Sequence, residues 1–407
     1  MLALVAALAA TCSAAAGGGA CGSPLDCALA GTCTAGACKC DPWATGASCT
    51  LLNAGPAKTS KAFSRANSSS WGGSAVKGTD GQYHMYASSF IDHCGFGTWE
   101  RNSEVIHSTA SDPEGPYLSA DVASPPWTHN PTMTLVNRTY VLYHLGAGHP
   151  NGSPKTDCSN GSTHGHGTGS RRTIVDDFVS AGAPPAPLMP AVSWSSSPAG
   201  PWQSLSGTRD GWGLNNPAAY FLPNGSVFML YKAGCDEDPS GHSFCRQFAV
   251  ANCVTFKGPC NHLRKIPIYG EDAGLFRDKR DNFHIFFHGG NYSPCRNTTC
   301  NYTGPTCRRF HHNAWSDNCY FHTAWSADGL DWHMDKTTNV FNWSIATVGG
   351  GSVTYADRAR HQVLVDTNGE LSHVFGGVRR DDVTDFTLTA VQPVHTSKTL
   401  SRHGEEE

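Results

Sequence analysis

Charge is what this sequence most lacks. Asp, Glu, Lys and Arg make up 15% of its 407 residues, against about a quarter in ordinary soluble domains. The 29 basic residues face 33 acidic ones, a formal net charge of −4, and no basic run breaks the balance. An electrostatic footprint for nucleic acid or for an anionic membrane surface is therefore missing. Long hydrophobic runs are missing too. Beyond Leu2 to Ala10 no segment approaches the ~18 apolar residues of a membrane span, and the C-terminal stretch 400–407 is polar, so no membrane span or lipid-anchor tail is expected. The Ala, Glu, Lys and Leu content of bundles and coiled coils is absent, while 39% hydrophobic and 10% aromatic residues exclude a disordered chain. No G-x-S-x-G, P-loop or Rossmann fingerprint occurs in a supporting context, which leaves serine hydrolases, nucleotide enzymes and dehydrogenases without support.

Glycine is what the sequence has instead. Its 44 Gly and 24 Pro point to a turn-rich all-β protein. Twenty His titrate near pH 6.5, so a mildly acidic medium is expected to make the protein cationic. The apolar run 2–10 followed by small residues 13–17 reads as a secretory signal over 1–16. Of 17 Cys, Cys12 falls beside that cleavage region, and the remaining even number suits full disulfide pairing in an oxidising compartment. Sequons at Asn67, Asn137, Asn151, Asn160, Asn224, Asn291, Asn297, Asn301 and Asn342 agree with an extracellular, secreted protein.

Cys21, Cys27, Cys33, Cys38, Cys40 and Cys49 crowd a segment with too few large apolar side chains for a core of its own, so disulfides must hold it. Four-cysteine zinc binding competes, yet no paired C-x-x-C occurs. The ending Cys38-Lys-Cys40-Asp-Pro-Trp43-Ala-Thr-Gly46-Ala-Ser-Cys49 resembles an epidermal-growth-factor-like module over 21–49. That resemblance implies pairing first to third, second to fourth and fifth to sixth. The acidic residues and amide of calcium-binding modules are missing before Cys21, so no calcium is expected here. A linker is expected over 50–70 and a polar tail over 397–407.

From Trp71 a β-rich run, a tight turn and an alternating aromatic or aliphatic run recur five times, with turns at Asp80-Gly81, Asn137-Arg138, Asn224-Gly225, Asp281-Asn282 and Asn368-Gly369. Further strands end in Gly-Pro-Tyr117, Gly-Pro-Trp202 and, more weakly, Gly258-Pro259. A repeated unit with insertions signals radial repetition, and the pattern over 71–396 matches a five-bladed β-propeller better than a β-sandwich.

The openings of the five hairpins should converge on the propeller axis. They are Trp71-Gly72-Gly73, His129-Asn130-Pro131, Asn215-Asn216-Pro217, Glu271-Asp272-Ala273 and Asp357-Arg358-Ala359-Arg360-His361, a ring of polar groups of the kind that holds sugar hydroxyls. Here 71–396 resembles the five-bladed propeller glycosidases, glycoside hydrolase family 43 and the invertase-like enzymes. By that resemblance Glu271 stands at the general acid, Asn216 where the third blade has an Asp, and Gly72-Gly73 where the first has one. Catalysis needs a second carboxylate, for which Asp272, Asp92, Glu100 and Asp357 are candidates. Trp71, His93, Trp99, His129, Asn130, Asn216, Arg358 and Arg360 are expected to bind substrate, with the Trp71 indole as a sugar platform and only one of the two alternating arginines at the axis.

Loop histidines His149, His164 and His166 lack metal-ligand spacing, and His284 and His288 read as packing on one strand face. No cofactor is expected; the resemblance implies at most a structural calcium or other ion on the axis. Two functions follow: a secreted hydrolase of O-glycosyl bonds in an oligo- or polysaccharide, or a catalytically silent propeller that binds a glycan or cell-surface glycoprotein, with the cysteine module as an adhesion spacer.

Overall fold

The computed structural model describes residues 18–59, 61–63, 68–146, 148, 154–158, 189–206, 214–233, 247–289, 321–335, 339–340, 342–380 and 386–403. The signal segment, six of the nine sequons (Asn67, Asn151, Asn160, Asn291, Asn297 and Asn301) and the trio His149, His164 and His166 lie outside these residues.

The cysteine module consists of two small hairpins, β1 (Gly31–Thr34) with β2 (Ala37–Cys40) and β3 (Ala44–Thr45) with β4 (Leu51–Leu52). Its disulfides are Cys21–Cys33, Cys27–Cys38 and Cys40–Cys49. This is the pairing that the resemblance implies, and it leaves no thiolate in the module for zinc.

Five antiparallel units follow. The first contains β5 (Ser70–Lys77), β6 (Tyr83–Phe90), the short helix α1 (Trp99–Asn102), β7 (Ser103–Ala110) and β8 (Leu118–Ser124). The second has β9 (His129–Val136), β10 (Thr139–Leu145), β11 (Ala191–Ser195) and β12 (Gln203–Ser206). The third has β13 (Asn215–Phe221), β14 (Val227–Ala233) and β15 (Gln247–Cys253), and is completed by the first half of β16 (Cys260–Arg277). The second half of β16 opens the fourth unit, which continues with β17 (Phe283–Gly289), β18 (Phe321–Ser326) and β19 (His333–Met334). A small hairpin, β20 (Ser344–Ala346) with β21 (Ser352–Thr354), precedes the fifth unit, β22 (Asp357–Val365), β23 (Leu371–Arg379) and β24 (Thr387–Pro393). Helix α2 (Ser397–His403) ends the described chain.

The opening strands touch in a cycle: β5 meets β9, β9 meets β13, β13 meets β16, β16 meets β22, and β22 returns to β5. A nearly all-β chain closed in this way is consistent with a β-propeller fold. Local chemistry explains the hairpins. Their turns need left-handed residues, and the sequence supplies Gly81 at φ 84°, Asn137 at 47° with Arg138 at 63°, Gly225 at 85°, Asp281 at 67° and Gly369 at 74°. Alternation then buries one face of each unit against the next. Between the third and fourth units Phe228, Leu230, Phe248, Val250, Ile285 and Phe287 form one cluster, each side chain worth about 1.5–3 kcal/mol of burial.

Two boundaries differ from the sequence reading. Within the expected linker 50–70 the described residues are anchored: Ala54 bridges Val394, Phe63 bridges Thr389, and the Ala62 N–H donates to the Thr389 carbonyl at 2.9 Å. The segment lies along β24 and ties the start of the chain to its last sheet. The tail includes α2, whose Ser397 N–H and hydroxyl both donate to the Glu370 carboxylate.

The cysteine module is likewise no free spacer. It has too few apolar residues for its own core, so it borrows one. Trp43 packs 5.2 Å from Phe276 and 5.0 Å from His284, in a cluster with Phe286, Phe321, Leu371 and Val374. Arg280, in the fourth turn, donates to Asp41 and to the Leu29 carbonyl. The module therefore packs on the turn of unit four and shares a core with the strands of units four and five.

Candidate functional site

Away from the turns, each opening strand is interrupted at positive φ: Gly72 (68°) with Gly73 (134°), Asn130 (52°), Asn216 (47°), Asp272 (60°) and Arg360 (52°). At each of these places the pairing with the next strand slips by a bulge. A bulge re-aims the side chain it carries, and here it turns the residues of different units toward one another. The Asn130 amide donates to Asn216 Oδ1 at 2.9 Å and to Asp272 Oδ1 at 3.4 Å. Arg360 Nη1 lies 3.5 Å from Asp272 Oδ1, and Nη2 donates to the Asn130 carbonyl at 2.9 Å and to Thr132 Oγ1 at 3.0 Å. Gly72 completes the ring by having no side chain, since a Cβ there would lie 2.9 Å from Arg360 Cγ. Burial works against the Arg360 charge, which the Asp272 carboxylate opposes; a guanidinium so placed needs both its counter-ion and its hydrogen bonds.

Glu271 stands one residue before the bulge. Lys232 Nζ donates to its Oε2 at 2.8 Å, and His288 Nε2 lies 3.1 Å from its Oε1. His288 Nδ1 is 3.6 Å from Asp272 Oδ2, too long for a good hydrogen bond. Side-chain exposure rises along this chain from 3% at His288 through 11% at Glu271 to 21% at Lys232. The sequence reading missed Lys232 and took His288 for packing. A signal was available: β14 places Lys232 opposite Asn215, and β17 places His288 opposite Glu271, positions found by counting back across each hairpin turn.

An aromatic group adjoins the ring. His129 is buried, its Nδ1 lies 2.8 Å from Ser103 Oγ, and its ring packs 5.2 Å from Trp99 and 5.9 Å from Phe90. Burial, with the Arg360 charge adding to it, holds His129 well below the usual imidazole range, so it is neutral. Three expected binding residues sit elsewhere. Trp71 is buried, with its ring against Phe96 and Gly377, and offers no sugar platform; the half-buried aromatics of this group are Phe96 and Trp99. Arg358 is buried and donates to the Asn342 carbonyl at 3.1 Å, leaving Arg360 as the arginine on the axis. His93 is exposed and lines a depression of about 440 Å³ with Asp92, Lys155, Thr156 and Asp157, on a loop pinned by the Cys94–Cys158 disulfide. Asp92 lies in that depression, Glu100 is exposed, and Asp357 sits 3.7 Å from Arg379. The structure thus unites Asn130, Asn216, Asp272 and Arg360, attaches Glu271, and sets His129 alongside.

Glu271, Asp272 and His288 are the described axial groups close enough together to ligate an ion. They do not fit a resident dication, because Lys232 and Arg360 already balance the two carboxylates; a metal would have to displace an ammonium.

No protein-family model and no curated protein matches the chain. Among solved structures it is similar to a protein of unknown function from Dyadobacter fermentans DSM 18053, with a TM-score of 0.52 and 10% identity over 84% of this chain and 99% of that one. A family-43 β-xylosidase/α-arabinofuranosidase from a compost microbial metagenome gives a TM-score of 0.48 and 12% identity, covering 85% and 96% of the two chains. A thermostable family-43 glycoside hydrolase gives 0.47 and 11%, covering 80% and 89%. At these identities the likeness concerns the fold alone.

Proposed function

We propose that the chain is a five-bladed propeller that acts on an oligo- or polysaccharide outside the cell, with Glu271 as the acid that protonates the departing glycosidic oxygen. The observation that carries the proposal is the setting of Glu271, the ring-bordering carboxylate hydrogen-bonded at one oxygen to His288 and paired at the other with Lys232. His288 can hand a proton to Oε1. The Lys232 ammonium sits against the carboxylate that remains once the proton has been given up. Trp99 and His129 would border the sugar, and the Asn130 and Asn216 amides would stiffen the floor beneath it. Asp272 is the second carboxylate at hand, and its bond to Arg360 gives it an orienting part.

A second reading, a silent glycan-binding propeller, is favoured by the same ion pairs, because both axial carboxylates are already neutralised. A panel of plant and algal polysaccharides, assayed for reducing ends and for binding by calorimetry, separates the two. Glu271→Gln should keep binding and lose two or more orders of magnitude in turnover. Unchanged turnover in that variant removes Glu271 from the acid role. Binding without turnover by the wild type establishes the second reading.

A further inference from the structure

The cysteine module meets the turn of unit four through Trp43 and Arg280. Among the described residues the hairpin tips of the other units are exposed, and two of them carry Asn-x-Ser/Thr sequences: Asn137-Arg138-Thr139 and Asn224-Gly225-Ser226. Asn137 and Asn224 are both exposed at hairpin tips, so a bulky group on either displaces no packed side chain. At Asn224 the carboxamide oxygen accepts from the Ser226 hydroxyl at 2.7 Å and from its N–H at 3.0 Å, which engages the oxygen and directs Nδ2 away from the turn. The disulfides Cys94–Cys158 and Cys253–Cys260, added to the three of the module, indicate folding in an oxidising compartment, where asparagine-linked sugar is added.

We propose that Asn137 and Asn224 are N-glycosylated, and that their glycans cover the tips of the second and third hairpins. In the transfer, Asn Nδ2 forms a bond to C1 of an oligosaccharide carried on a polyprenyl pyrophosphate. The C1–O bond to phosphate breaks, Nδ2 gives up one proton, and the lipid pyrophosphate leaves. The consequence is a turn end shared by protein and sugar, which favours approach of a macromolecular substrate from the end that bears the bulges. The third described sequon, Asn342, is also exposed but stands just before β20 and not at one of the five hairpin tips, so it lies outside the proposal.

The test is peptide mapping of the full chain secreted by a eukaryotic host, before and after peptide-N-glycosidase, which leaves Asp where a glycan stood. Both Asn137 and Asn224 should convert. Thr139→Ala and Ser226→Ala should each remove one glycan from the intact mass with no change in melting temperature beyond about 1 °C, and Thr139→Ser should restore the first. Unconverted Asn137 and Asn224 in secreted, disulfide-bonded protein overturn the proposal, as does a chain retained in the cytosol with free thiols.

Discussion

Replacing Trp43 by Ala tests whether the cysteine module and the repeat units share one core. Trp43 is 6% exposed, and its ring meets Phe276 at 5.2 Å, His284 at 5.0 Å and Phe286 at 6.2 Å. Truncating a buried Trp to Ala costs about 3–5 kcal/mol, transfer and cavity terms together. If module and units melt as one, about 370 residues give an unfolding entropy near 0.8 kcal/mol/K, and the midpoint should fall by about 4–6 °C. Arg280→Ala supplies the scale for a rim contact. Its pair with Asp41 is partly exposed, worth about 1 kcal/mol or less and hence about 1 °C. Differential scanning calorimetry reads both, and limited proteolysis within 18–53 reports whether the module comes away. A Trp43→Ala midpoint within 1 °C of wild type, or a wild-type module that melts in its own separate step, refutes the shared core.

Gly72→Ala should lower stability by about 2–5 kcal/mol, the sum of a left-handed alanine and the overlap with Arg360; a denaturant midpoint equal to wild type would show that the ring has slack. Asp272→Ala should cost about 3–5 kcal/mol by stranding the Arg360 guanidinium, whereas Asp272→Asn keeps an acceptor and should cost less; equal losses in urea melts contradict the ion-pair reading. Acid should destabilise the fold through its buried imidazoles. Burial pushes His144 and His373 down to about 4, so below pH 6.5 the unfolded chain takes protons that the folded one refuses, and stability present above pH 6.5 is lost as the pH falls toward 4. Each such His contributes a slope of up to about 1.4 kcal/mol per pH unit, and His144→Asn should flatten urea-melt stability between pH 6 and 4.5 by about that amount; an unaltered slope refutes the assignment.

The five hairpins were legible because their signals are local. A Gly, Asn or Asp in a turn and alternating apolar residues beside it need no knowledge of the rest of the chain. Asn130, Asn216 and Asp272 were legible from their equivalent places in the repeat. In the fifth unit the register was not, since Arg358 and Arg360 alternate and only the bulge at Arg360 decides which side chain reaches the axis. Lys232 escaped because it lies on a second strand, and ring membership was sought only on first strands. Trp71 misled because composition shows an aromatic but not what covers it. The histidine count misled in the same way: His107, His129, His144, His322, His361 and His373 are all held below their ordinary range by burial, so mild acid adds fewer positive charges than twenty imidazoles suggest.

Strand β16 has a mechanical consequence. Because it completes the third unit and opens the fourth without a break, the two move as one plate, and no hinge separates Lys232 from Glu271 although they belong to different units. Asp272 and Arg360 face each other across the boundary between the fourth and fifth units, whereas the Lys232–Glu271 pair joins strands of one continuous sheet. Chain length is fixed at the same spot. A residue inserted between Ile266 and Glu271 would turn every later side chain of the strand to its opposite face, swinging Glu271 away from His288 and Asp272 out of the ring, whereas insertions at the turn tips would leave both in place.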